Sequence, residues 1–230
     1  MPLPMLYLAV AWVAVAGPDP APPPWQPPPQ LVAAVKAQIP PQSSSMDRMR
    51  WLHHFLVSPE GLGVVAADQI SETSESVWRT RRADCVGFAY LLGGIARELG
   101  LPVSFGLESP GDVEPTASSG PFQVREAHIV LIFMGSRDGP WLVDHEGFRP
   151  WSPETRRLDD REAAALLWAN RGARALLAGR CKDALQLTTT ASLLAPRIEA
   201  IQRNQEVAQS RCALEASRGV DAAWNGRRVD

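Results

Sequence analysis

Cys85 directly follows Asp84, where the polar stretch Ser74-Glu-Ser-Val-Trp-Arg-Thr-Arg-Arg-Ala-Asp84 gives way to an amphipathic run, Val86 to Leu99. A thiol in the first turn of such a helix lies at the positive end of the helix dipole. That position favours the thiolate, the form that attacks a carbonyl carbon. His128 opens the β-patterned stretch that runs to Phe133, and Asp144 ends a second one, Trp141-Leu-Val-Asp144. Together these are the residue types of covalent acyl transfer: a nucleophile, a proton carrier, and a carboxylate that orients it. Taken singly, each has an ordinary reading as a small buried hydrophobe, a strand residue, and a turn-capping carboxylate.

The elements that must position them can be read from periodicity. Leu31 to Ile39 has helical spacing and stops at Pro40-Pro41; Ser45 is a candidate N-cap for a second helix, Met46 to Val57. His53 and His54 adjoin in that helix, and packing or solvent exposure explains them better than catalysis. The Cys85 helix has apolar positions near a 3.6 period and ends at Gly100 and Pro102, before a strand Val103 to Leu107. Ser109 to Gly120, rich in Ser, Pro and Gly, reads as a loop. A hairpin turning at Gly135-Ser-Arg137 would pair Met134 with Asp138, Ile129 with Val143, and His128 with Asp144. In that register Asp144 would fix the His128 ring while the other ring nitrogen faces Cys85.

Composition narrows the classes. The chain has 230 residues, 45% hydrophobic and 21% charged, with a net charge of -2. That is enough for one ordinary core and gives no electrostatic reason to bind nucleic acid or anionic lipid. There is no phosphate-cradling Gly-rich loop, no His-x-x-x-His and no Cys-x-x-Cys, so neither a metal nor another cofactor is expected. The cluster Arg79, Arg81 and Arg82 reads as a solvated rim.

Residues 1–16 end in an apolar run, Met5 to Ala16, shorter than the roughly 20 residues of a spanning helix. Ala14-Val-Ala16 before Gly17 fits signal cleavage, predicting export to a periplasm or the exterior with no integral span after signal removal. The alternative is an uncleaved anchor, since Met1-Pro-Leu-Pro4 carries no positive side chain. Residues 17–29, dominated by proline, are expected to form an extended spacer.

Arg81-Arg-Ala-Asp-Cys85-Val-Gly-Phe-Ala, then Leu91-Leu, Ala96-Arg-Glu-Leu-Gly-Leu-Pro102, the His128 strand and Trp141-Leu-Val-Asp144 together resemble the transglutaminase-like superfamily of cysteine enzymes. The resemblance runs from about Glu72 to Glu146. It implies an α+β fold with a papain-like core, an antiparallel sheet and N-terminal helices over residues 30–157. It also implies a Cys85-His128-Asp144 triad acting on protein or peptide amides, by hydrolysis or by transfer to an amine. One oxyanion donor would be the Cys85 backbone N–H, and a second would come from Trp78 or Gln69. Members commonly carry Gly just before the Cys, where this chain has Ala83. His145 and Glu146 could compete for a place in the site. Arylamine N-acetyltransferase-like chemistry ranks lower, because that family's Arg-Gly-Gly-x-Cys is absent.

Trp168-Ala-Asn-Arg-Gly172, Gly179, Ala184-Leu185, Ala191 and Pro196 resemble one tetratricopeptide repeat, and a weaker second repeat begins at Arg197 with Asn204 and Ala216 as anchors. The resemblance implies helical hairpins over residues 158–218, followed by a tail, 219–230. These helices would brace the first domain or bind a partner protein, and a noncatalytic scaffold of that kind is the alternative function. Cys181 and Cys212, nearly one repeat apart, would lie near the starts of successive second helices and leave Cys85 free. Helix axes packed about 8–10 Å apart argue against a bridge needing Cα atoms within roughly 7 Å, so their pairing stays open.

Overall fold

The computed structural model describes residues 22–40, 42–67, 72–108 and 128–225, with the side chains of the last helix described to Ser217. The apolar run Met5 to Ala16 and the Ser109 to Gly120 segment lie outside the described residues. Mixed helix and sheet are present, as α+β requires.

Two helices open the fold. α1 (Pro29–Gln38) has Pro29 at its first position, where a missing N–H costs nothing. α2 (Ser45–Val57) is capped by the Ser44 hydroxyl, which accepts from the Asp47 N–H, one residue earlier than the spacing predicts. Two-residue strands β1 (Val65–Ala66) and β2 (Arg82–Ala83) pair in parallel, flanking α3 (Ser74–Thr80). Next comes the Cys85 helix, α4 (Cys85–Glu98). A five-stranded antiparallel sheet follows: β3 (Val103–Glu108), β4 (His128–Phe133), β5 (Trp141–Asp144), β6 (Gly147–Pro150) and β7 (Arg156–Arg157), in spatial order β6-β5-β4-β3-β7.

α4 is buried on every side from Val86 to Ala96, so the expected amphipathic helix is a central one. Small residues make this geometry work. A Cβ on Gly93 would meet Leu131 and Phe105 on the sheet at 2.8 and 2.9 Å, and one on Gly94 would sit 1.8 Å from the Trp25 carbonyl oxygen. The latter contact corrects the spacer expectation for residues 17–29. From residue 22 onward that segment belongs to the body: Trp25 is 9% exposed and packs between Tyr90 and Phe105, with ring centroids 5.9 and 5.3 Å away. The Pro24 carbonyl accepts a hydrogen bond from the Ser74 N–H at 2.7 Å. An aromatic among prolines can bury its ring because the stiff backbone loses little entropy on docking.

The β4–β5 ladder also differs from the expected hairpin. Leu131 pairs with Val143 and Phe133 with Trp141, a displacement of two residues from the register predicted. The reason is a longer turn than Gly135-Ser-Arg137 alone, which keeps Met134 and Asp138 out of the ladder. Because side chains alternate with period two, a two-residue shift leaves every face unchanged. Phe105, Leu107, Ile129, Leu131, Phe133 and Val143 still face α4, and Val130, Ile132 and Leu142 cluster on the other side.

The C-terminal third is a hairpin, α5 (Asp160–Leu177) and α6 (Cys181–Leu194), turned at Gly179 with φ 70°, followed by α7 (Glu199–Asn225). A capping box between Asp159 and Glu162 starts α5. Gly172 lets Thr188 of α6 approach closely. The weak second repeat is not formed, because α7 is a single helix with no turn between Asn204 and Ala216, and it runs through residue 219, where a tail was expected. The main core is continuous with these helices through Ala163, Leu166, Ala191, Ile198 and Ile201. Cys181 and Cys212 are joined in a disulfide with Cα atoms 5.5 Å apart, closer than packed helix axes suggested. Cys181 does open α6, but Cys212 lies well inside α7. Among the described residues no helix is long and apolar enough to cross a membrane.

Candidate active site

The Asp84 carboxylate accepts from the Gly87 N–H at 2.9 Å and so caps α4, making Cys85 its first residue. At that position the Cys85 N–H has no acceptor within the helix, as an oxyanion donor requires. Cys85 is a free, half-buried thiol. Ala83, in the place where Gly was expected, has no positive φ; Arg81 takes the left-handed conformation instead, at φ 58°. The missing glycine therefore imposes no strain on the segment that delivers Cys85.

His128 opens β4 and directly opposes Glu108 of β3. Its Nε2 lies 3.4 Å from Asp144 Oδ2 and 4.0 Å from Glu108 Oε2. Hydrogen bonding to Asp144, then to Cys85, and the negative charge of both partners push the imidazole up to about 10 against a smaller opposing effect of burial. All three predicted residues thus meet at one end of the sheet, although their ladder positions do not pair His128 with Asp144 directly. The contact is diagonal, within the reach of long side chains across neighbouring strands.

Asp144 is fixed through each of its oxygens. Oδ1 accepts from the Glu146 N–H at 2.8 Å, Oδ2 accepts from Arg149 Nη2 at 3.0 Å, and the backbone carbonyl accepts from His53 Nε2 at 2.9 Å. Burial alone would push the Asp144 carboxyl up; hydrogen bonds from His128, Arg149 and Glu146 together outweigh it and hold the group well below the usual carboxylate range. Burial lowers the His53 pKa, keeping that ring neutral while it sits edge-on to Phe88 and Phe148, 6.0 and 5.4 Å between centroids. The carbonyl acceptor requires Nε2–H, which fixes the tautomer of the neutral ring.

Three residues of this arrangement escaped the sequence reading. His53 was assigned to packing, yet its ring also holds the Asp144 backbone. Arg149 and Glu108 form a paired contact, Nη1 to Oε1 and Nη2 to Oε2, both at 2.5 Å. The available signal was Asp144-His-Glu-Gly147: a two-residue turn before a glycine, here at φ 131°, marks a hairpin whose second strand carries Arg149. His145 does not compete for the site, because its Nε2 bonds the Val64 carbonyl at 3.2 Å. Glu146 contributes only its N–H to Asp144, and its side chain is exposed. Trp78 packs its half-buried ring on the main core, and Gln69 lies outside the described residues.

The C-terminal helices reach the same region. Arg171 pairs with Glu72 at 3.1 Å, and Arg174 Nη2 lies 4.0 Å from Asp84 Oδ2, the carboxylate that caps the Cys85 helix. On the opposite side of the site, Glu108, His128, Ser152, Glu154 and Thr155 line a cleft of about 480 Å³.

The charge state of His128 predicts a pH dependence of stability. Its folded pKa lies above the ordinary value of 6.5, so its contribution is complete below about pH 6.5 and fades as pH rises through about 10. Denaturant titrations at pH 6 and pH 10 are expected to show native protein exceeding His128→Ala at the lower pH, with the difference shrinking at the higher one. A difference that grows with pH contradicts the assignment.

Comparison of the chain with protein-family models, with curated proteins and with solved structures gives no match. What the site can do therefore follows from its own geometry: a half-buried thiol at a helix N-terminus, near a histidine that a carboxylate held by Arg149 and the Glu146 N–H engages.

Proposed function

We propose that this protein is a cysteine-dependent acyl-transfer enzyme of transglutaminase-like, papain-like architecture, acting on protein or peptide amides. The observation that carries the reading is the convergence of Cys85, at the start of α4, with His128, whose Nε2 lies 3.4 Å from Asp144 Oδ2. In the proposed reaction the Cys85 thiolate adds to the amide carbonyl, and the developing oxyanion is met by the Cys85 N–H. His128, as imidazolium, gives its proton to the departing amine as the C–N bond breaks. The thioester then loses its acyl group to water or to a second amine, with neutral His128 taking a proton from the attacking group and Cys85 leaving as thiolate.

The helical hairpin α5–α6 is proposed as a single tetratricopeptide-like unit that acts as a brace, because its apolar face is spent on the main core and Arg174 stands beside the cap of the Cys85 helix. The Cys181–Cys212 disulfide supports export to an oxidising compartment, where such bridges persist.

An activated ester tests the chemistry without knowledge of the natural substrate. Mixing the protein with p-nitrophenyl acetate is expected to release a burst of p-nitrophenol and leave one acetyl group on Cys85, detected by peptide mass spectrometry. Cys85→Ala should lose both, and an added amine should speed loss of the acetyl group if transfer is favoured over hydrolysis. Absence of a Cys85 adduct in native protein would overturn the reading.

A further inference from the structure

Four adjacent strands each place one charged side chain at the same corner of the sheet: Glu108 from β3, His128 from β4, Asp144 from β5 and Arg149 from β6. Arg149 lies at its centre. Nη2 reaches Asp144 Oδ2 at 3.0 Å and Glu108 Oε2 at 2.5 Å, while Nη1 takes the other Glu108 oxygen. Glu108 is further held by the Thr155 hydroxyl at 3.5 Å. Asp144 Oδ2 thus receives a nearer donor from Arg149 than from His128, whose Nε2 is 3.4 Å away.

We propose that Glu108 and Arg149 form an ionic clamp that aims the Asp144 carboxylate at His128, making both positioning residues of the acyl-transfer site. The proposal rests on the reading given above. Its physical basis is shared geometry. A lone carboxylate at a strand end rotates about two bonds and can meet solvent with either oxygen. The planar guanidinium grips Glu108 through two nitrogens while one of them also holds Asp144 Oδ2, a geometry a Lys ammonium cannot reproduce. Glu108 serves twice: it orients Arg149, and it balances a positive charge that would otherwise disfavour the imidazolium beside it. Among the described residues, the titratable and charged groups near His128 are Cys85 from α4, Glu108 from β3, Asp144 from β5, Arg149 from β6, and Glu154, which lines the same cleft. His53 of α2 acts one step away, on the Asp144 carbonyl.

The test is a double-mutant cycle of Glu108→Ala and Arg149→Ala on the full chain, with Arg149→Lys as a second variant. Two readouts are taken: the downfield NMR resonance of the His128 Nε2 proton, and the alkylation rate of Cys85 at pH 6. Each single variant, shown folded by near-ultraviolet circular dichroism, is expected to weaken or abolish the resonance. Each is also expected to slow alkylation by about tenfold, within the range found for coupled charged neighbours. The double variant should be no worse than either single one, Arg149→Lys should recover only part, and in Asp144→Asn the same changes should cost nothing more. A resonance and rate unchanged in folded Arg149→Ala, or costs that simply add, would overturn the clamp. The resonance does not need a reactive thiol. A native protein with a strong His128 signal but an inert Cys85 therefore sinks the acyl-transfer reading while still deciding the clamp.

Discussion

Trp25→Ala is expected to reduce the free energy of unfolding by about 3–5 kcal/mol, the cost of emptying a buried aromatic site. The ring fills the space between Tyr90 and Phe105, and the Arg97 guanidinium lies 5.3 Å from its centroid. The neighbours have little freedom to collapse into the gap. The Trp25 carbonyl is pressed against Gly94, and the preceding Pro24 carbonyl is tied to Ser74, so the backbone on either side stays where it is. Urea titration monitored by circular dichroism measures the change, and a loss under 1 kcal/mol would mean that the segment is the spacer its composition suggests. By the same argument a chain starting at residue 30 loses this aromatic plug and exposes the outer side of α4, which carries Cys85. Reactivity measured on such a fragment would confound stability with chemistry.

Much of the fold was legible because the elements carry strong local signals. Asp84 before an apolar run, Gly100 with Pro102 after it, and Trp141 to Asp144 mark a helix and a strand whose observed bounds lie within a residue or so of expectation. What the pattern could not supply was tertiary. Trp25 reads as part of a proline spacer because nothing local reveals a cavity 65 residues away beside Tyr90. β1, β2 and β7 are two residues each, too short for any period to register. α7 lacks the break expected after Asn204 because a 27-residue polar helix needs no turn when one face is held by α6 and the disulfide.

The site was legible in its residue types and hidden in its support. Cys85, His128 and Asp144 stood out through their places in a helix start and two strands. Yet the hairpin register predicted for the last two was displaced by two residues, and the contact survives because parity keeps both on one face. Arg149 and Glu108 could not be found from spacing alone, since they come together only when β3, β4, β5 and β6 line up. His53 could be read as a core histidine, and it is one. Its hydrogen bond to the Asp144 carbonyl becomes visible only in three dimensions.

The second large effect is expected at His128. In the proposed mechanism its imidazolium stabilises the Cys85 thiolate as a neighbouring positive charge and hydrogen-bond donor, adding to the helix N-terminus. The Asp144 carboxylate, held below the ordinary range, keeps that positive charge in place through neutral pH. An unassisted thiol, with a pKa of about 8.5, is mostly protonated at pH 6 and alkylates slowly. His128→Ala should therefore cut the alkylation rate of Cys85 at pH 6 by about tenfold or more, the factor that one pKa unit represents. Above pH 9, where thiolate forms regardless, the two proteins should react alike.

The decisive measurement is the iodoacetamide alkylation rate of Cys85 from pH 5 to 10, in the full chain and in His128→Ala. The account predicts a native thiol that alkylates faster at pH 6 than a free cysteine, and loss of that excess rate when His128 is removed. Superimposable profiles, or a native thiol no more reactive at pH 6 than a free cysteine, would contradict it.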